Sequence, residues 1–165
     1  MDILWAPWRM KYIEYEAVKK DKKSCIFCEA AKAENMEEKL VLHKTQYSIV
    51  LMNLFPYNTG HLLVAPLRHV PSIEDLPKEE LSDLFNLLNR SLRLLRVVFK
   101  PDGFNIGINL GRVAGAGIED HVHIHIVPRW NGDTNFMPVI YNTKVIPESL
   151  KDTYKRLIAQ KNVLL

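Results

Sequence analysis

His121-Val122-His123-Ile124-His125-Ile126-Val127-Pro128-Arg129-Trp130 sets three imidazoles at alternate positions between apolar residues. Extended backbone sends successive side chains to opposite faces, so positions i, i+2 and i+4 share one. Read as a strand over about 121–127, the stretch turns His121, His123 and His125 one way. Val122, Ile124 and Ile126 turn the other way, into a core. Same-face neighbours stand roughly 6.5–7 Å apart along a strand, so the row can address one metal ion or several oxygens of one ligand. A lone strand histidine is ordinarily a satisfied core or surface residue. Three polar rings side by side have no use in neutral packing, and two protonated ones would repel. The row therefore marks a site, either for a metal held by His-x-His ligands or for a nucleophile with two supporting imidazoles.

The rest of the chain narrows the setting. Its 165 residues are most simply one domain with one core. An apolar fraction of 47% and a charged fraction of 25% are those of an ordinary globular protein. With 22 basic and 19 acidic residues the net charge is +3, too slight to announce a nucleic-acid binder. No apolar run approaches the roughly 20 residues of a membrane span. The N-terminal Met-Asp-Ile-Leu-Trp-Ala-Pro-Trp-Arg lacks the basic lead and apolar run of a secretory signal. Two cysteines make no disulfide scaffold, and a cytoplasmic location is the expectation.

Periodicity supplies the layout. A helical turn is predicted around 6–15. Leu40–His43 and Tyr47–Met52 read as a hairpin joined by Lys44-Thr45-Gln46. A turn-rich loop over 53–60 precedes a third strand, His61–Ala65. From Pro77 to Phe99, Leu81, Leu84, Phe85, Leu88, Leu92, Leu95 and Val98 recur at helical spacing and make one apolar stripe. Pro101 and Gly103 end that helix. Phe104–Asn109 alternates as a fourth strand, Gly111–Gly117 is a Gly/Ala loop, and Pro147–Gln160 reads as a last helix. The expected fold is α+β: a five-stranded antiparallel sheet covered on one face by a long helix, with a C-terminal helix.

Cys25-Ile26-Phe27-Cys28 is half of a tetrahedral zinc site, so two further ligands must come from elsewhere. His43, His61, His69 and His121 are all candidates by residue type. A redox Cys-x-x-Cys is the rival, although the sequence shows neither the preceding strand nor the following helix of a thioredoxin-type setting.

The triad stretch, with Gly60-His61-Leu-Leu-Val64-x-Pro66-x-x-His69, the cysteine pair and the Ala114-Gly115 approach, resembles the histidine triad family over roughly residues 25–130. The flanks Leu4-Trp5-x-Pro7-x-Arg9-Met10 and Pro128-Arg129-Trp130-x-Gly132-Asp133-x-Asn135-Phe136 resemble the branch containing bacterial diadenosine tetraphosphate phosphorylases. The resemblance implies an enzyme that cleaves nucleoside polyphosphates at the α-phosphorus. His123 would be the nucleophile, His125 would bond the phosphate or the bridging oxygen, and His121 would support the site. Neutral imidazole suits the attack, because its ordinary pKa near 6.5 leaves it unprotonated at pH 7. Asn53 and Asn109 match nucleotide-contacting asparagines. Gly115, Ala116 and Gly117 would bring backbone N–H groups to the phosphates. Relatives often carry Ser or Gln near position 117, so here only backbone donors remain.

Trp130 is expected either as a half-buried aromatic or as a stacking plate for a base. Arg129 is expected in solvent or on a distal phosphate. For the cysteines, the resemblance implies a structural zinc site of Cys25, Cys28, His69 and His121. It further implies a homodimer joined edge to edge through its sheets. Three other readings stay open: a nucleotide-binding regulator with slow turnover, a purine nucleoside phosphoramidase, and a hydrolase whose His-x-His row holds a catalytic metal.

Overall fold

The computed structural model describes residues 25–141 and 143–165. The predicted turn at 6–15 and the aromatic flank at 4–10 lie outside them. Five strands, β1 (Val41–Lys44), β2 (Ser48–Met52), β3 (Leu62–Pro66), β4 (Gly103–Ile108) and β5 (Ile124–Arg129), form one antiparallel sheet in the order β1-β2-β3-β5-β4. Among the described residues four α-helices accompany them: α1 (Ile26–Lys32), α2 (Lys78–Phe99), α3 (Met137–Tyr141) and α4 (Leu150–Ala159). The expected α+β sheet and its two main helices are therefore present. The short α1 and α3 were not anticipated, because five to seven residues are too few to show a periodicity.

The sheet separates two apolar layers. Val50 and Met52 of β2, Leu62 and Val64 of β3, and Ile124 and Ile126 of β5 pack with Leu84, Leu87, Leu88, Leu94 and Leu95 of α2. Their strand neighbours Ile49, Leu51, Leu63 and Ala65 pack on the other side with Phe27 and Ala30 of α1. The central strands are buried on both faces, so β2 and β3 read as continuous apolar runs rather than alternations. On α2 the buried stripe sits slightly off the predicted one. Leu87 and Leu94 are fully buried, whereas Phe85 is 41% exposed. Pro77 stands just before the first turn of α2, and Lys100 ends the helix in the left-handed region at φ 48°. In α4, Tyr154 reaches back so that its hydroxyl donates to the Val41 carbonyl at 3.0 Å.

Two backbone features set the site. Gly60 has φ +75°, and a Cβ there would meet the Phe99 ring at 3.1 Å, so the turn into β3 requires glycine. The regular ladder of β5 begins at Ile124, not at the predicted 121, since its last partner on β3 is Val64. His121–His123 precede it outside the ladder, with a bend at His121, and the Val122 amide donates instead to the Val70 carbonyl at 2.8 Å.

Candidate active site and metal centre

Ile124 and Ile126 enter the α2 core, so His125, between them on β5, lies on the face covered by α1. His121 and His123 share that side: the Phe27 ring of α1 stands 5.0 Å from the His121 ring and 4.9 Å from the His123 ring. The His123 and His125 rings are 4.9 Å apart. Beside these two rings is a cavity of about 620 Å³, within the range of small-molecule sites. Its wall includes Ile26, Ala30, Leu51 and Leu63 as apolar surface, and Asn53, Tyr57, His123 and His125 as polar or aromatic groups.

The hydrogen bonds determine which ring nitrogen carries each proton. A carbonyl oxygen only accepts. His123 Nδ1 lies 2.9 Å from the His121 carbonyl, so Nδ1–H donates and the lone pair is left on Nε2. His121 Nε2 lies 2.8 Å from the Pro66 carbonyl, so its lone pair is on Nδ1. His61 Nδ1 accepts from the Tyr57 backbone N–H at 3.0 Å and faces the Asn53 amide Nδ2 at 3.3 Å. Its proton is therefore on Nε2, 3.0 Å from His125 Nδ1. Accepting at Nδ1, neutral His125 carries its own proton on Nε2. The row thus presents an unprotonated Nε2 on His123 beside an Nε2–H on His125.

Burial keeps these rings neutral. It pushes His61 down to about 3 and His125 down to about 4, with the neighbouring histidines adding to the shift. His123 and His121 are also lowered by burial, partly offset by their bonds to the His121 and Pro66 carbonyls.

A second cluster stands behind the triad. The donor atoms of Cys25, Cys28, His69 and His121 all lie within 4.8 Å of one another. His121 Nδ1 is 3.2 Å from Cys25 Sγ, 3.7 Å from Cys28 Sγ and 3.2 Å from His69 Nδ1, and Cys28 Sγ is 3.3 Å from His69 Nδ1. Tetrahedral edges of roughly 3.3–3.8 Å follow from ordinary Zn–N and Zn–S lengths, so the four atoms have the spacing of a closed metal site. The Pro66 carbonyl fixes the His121 tautomer that a ligating Nδ1 needs. Cys25 caps α1 and Cys28 lies in its first turn, so a helix does follow this Cys-x-x-Cys. Its sulfurs nonetheless converge on imidazoles. His43, in β1, and His61, on His125, are not among these donors.

Other expected site residues are placed as follows. Asn53 is on the cavity wall, its Oδ1 accepting from the Phe55 amide at 2.9 Å. Gly115 and Gly117 are also on the wall. Asn109 braces the loop through Nδ2 on the Gly115 carbonyl at 3.4 Å. Ala116 is buried, and the amides of Gly115 and Ala116 donate to the Arg112 and Gly111 carbonyls at 2.9 and 3.3 Å. Two of the three expected phosphate-facing N–H groups are thus engaged inside the loop, which a 3₁₀ turn at Arg112–Ala114 closes on itself.

Trp130 is not part of the cavity wall: its indole N–H donates to the Phe99 carbonyl at 3.3 Å. Arg129 is bidentate on Asp133 (2.6 and 3.0 Å) and also bonds Asn105. It is exposed to solvent, as expected, while its guanidinium is held by Asp133. Sequence reasoning missed the place of His61 beside His125, and with it Tyr57, whose ring stacks on His125 at 5.7 Å and 13°. The available signal was a histidine directly after the obligatory Gly60, at the start of a buried strand.

Known proteins are similar to this chain in sequence and in fold. The HIT domain pattern matches residues 34–132. An AP-4-A phosphorylase of Mycobacterium tuberculosis is 42% identical over 161 residues, spanning 94% of this chain and 82% of that one. An asymmetrical bis(5'-nucleosyl)-tetraphosphatase of Schizosaccharomyces pombe is 38% identical over 102 residues, 62% of this chain and 56% of that one. A Zn-bound histidine triad protein of Mycobacterium smegmatis superposes with a TM-score of 0.65 at 25% identity, covering 84% of this chain and 94% of that one. The chain belongs to the HIT family.

Proposed function

We propose that this protein cleaves nucleoside polyphosphates, of the diadenosine tetraphosphate kind, by two displacements through His123. The observation that carries the reading is the bond from His123 Nδ1–H to the His121 carbonyl, which leaves a neutral Nε2 lone pair on the cavity wall. In the first displacement Nε2 bonds to the α-phosphorus and the bond to the bridging oxygen breaks. The polyphosphate departs as its anion, and the Nε2–H of His125 donates to that oxygen. In the second, water or inorganic phosphate attacks the same phosphorus and the electron pair returns to Nε2, releasing a nucleoside monophosphate with water or a nucleoside diphosphate with phosphate. Asn53 and the loop at Gly115–Gly117 border the nucleotide, and the apolar wall takes its base. The names of the phosphorylase and tetraphosphatase relatives support this substrate class.

Cys25, Cys28, His69 and His121 would hold a structural zinc ion, tying α1 to the sheet and fixing His121 beside the nucleophile. Only His121 of the three triad histidines joins that cluster, which argues against a catalytic metal on the His-x-His row. β4 ends the sheet among the described residues, with Ile106 47% exposed, and offers an edge for a homodimer. No described helix is long and apolar enough to cross a membrane, and a cytoplasmic location fits the free thiols.

The test is incubation with diadenosine tetraphosphate with and without inorganic phosphate. ADP plus ATP with phosphate marks a phosphorylase, and AMP plus ATP without it a hydrolase. Full activity in His123→Asn would overturn the reading.

A further inference from the structure

Asn58 is 5% exposed and is not on the cavity wall, yet its side-chain nitrogen and its backbone carbonyl are both engaged. Its Nδ2 donates to the Pro128 carbonyl at 3.0 Å and to Asp133 Oδ2 at 2.9 Å. Its backbone carbonyl accepts from the His61 amide at 3.2 Å. Asp133 in turn collects Arg129, the Trp130 amide at 3.2 Å and Lys144 at 4.0 Å, and its side chain is 6% exposed. The loop before β3 is thereby pinned to the far end of β5. Tyr57, the residue before Asn58, supplies the N–H that occupies His61 Nδ1.

We infer that Asn58 and Asp133 are positioning residues: by holding the Tyr57 amide on His61 they set the tautomer of the His61–His125 pair, and so aim a donor at the leaving group. The inference rests on the function proposed above and deepens it. Without the pin, the Tyr57 N–H swings off Nδ1 and leaves there only the longer contact from Asn53 Nδ2, at 3.3 Å, so His61 carries its proton on Nδ1 in part of the population. His125 then presents a lone pair to the departing oxygen in part of the population. A group that leaves easily does not need that bond, whereas a basic one does.

The test uses Asn58→Ala and Asp133→Asn, so that misfolding of one leaves the other. Nitrogen NMR of histidine-labelled protein reads the tautomers directly, without turnover. Wild type shows His61 and His125 protonated at Nε2, and the variants show mixed forms. In parallel, kcat is compared on the 4-nitrophenyl and phenyl esters of AMP. The expected loss is about tenfold on the phenyl ester, the worth of one hydrogen bond, and about twofold or less on the nitrophenyl ester, with KM held on both. Unchanged tautomers in both variants overturn the inference. So does an equal loss on the two esters, which marks a purely structural pin. If wild type cleaves neither ester nor diadenosine tetraphosphate, the proposed function itself fails, a result seen before any variant is made.

Discussion

His61 Nε2 lies 3.0 Å from His125 Nδ1, across 64 residues of sequence, and donates its proton there because Tyr57 holds the opposite nitrogen of the same ring. The Tyr57 amide, with the Asn53 side-chain amide beside it, thus determines, two rings away, that His125 faces the cavity as a donor. Replacing His61 by Phe removes this control and leaves His125 Nδ1 without its partner. The expected outcome is a fall in kcat of about tenfold to a hundredfold with KM nearly unchanged, the usual worth of one positioned proton donor. Steady-state kinetics on diadenosine tetraphosphate checks it. A kcat equal to wild type would show that the pair plays no part.

Acid should destabilise the fold through the same two rings. The unfolded chain takes up protons near pH 6.5, while folded His61 and His125 refuse them until about 3 and about 4. Their contribution is therefore whole above about pH 6.5 and lost as the pH falls toward 4. At pH 5 each ring costs about 2 kcal/mol. Urea denaturation at pH 7 and pH 5 reads the difference, and His61→Gln should remove about half of it.

One bound metal ion per chain is expected, and none in Cys28→Ala. Because a folded-state ligand stabilises by mass action, adding a strong chelator should lower stability by about 4 kcal/mol for an ion present at a thousandfold excess over its dissociation constant. Metal analysis and thermal unfolding together check this. An unchanged metal content in Cys28→Ala would remove the site.

Gly60→Ala should destabilise by about 1–3 kcal/mol, since the residue is held at positive φ and its new methyl meets the Phe99 ring at 3.1 Å. Chemical denaturation measures the loss. Because His61 follows directly, the variant should also lose activity at temperatures where it is still folded.

Local pattern made much of this legible. The apolar partners of the triad, Ile124 and Ile126, enter the core as their alternation requires, and the helix from Lys78 to Phe99 follows its leucine spacing. What stayed hidden depends on contacts between distant segments. Trp130 and Arg129 follow the triad in sequence, but the end of α2 and the turn at Asp133 claim them. The glycine loop looked like a phosphate cradle until its own carbonyls took two of its amides. The position of His61 after Gly60 marks it as a residue to watch but does not name His125 as its partner, since a single histidine at a strand start looks the same whether it orients a ring or fills a core. Choosing His69 and His121 over His43 and His61 as companions of the cysteines came from family resemblance, because residue type alone offered four equal candidates.

The central claim is that His123 Nε2 becomes bonded to a nucleotide phosphorus. Mass spectrometry of protein quenched during turnover of diadenosine tetraphosphate tests it most directly. The account predicts an adenylyl group on the peptide carrying His123, absent from His123→Asn. A variant that turns over at the wild-type rate, with no adduct ever captured on the native protein, would contradict it.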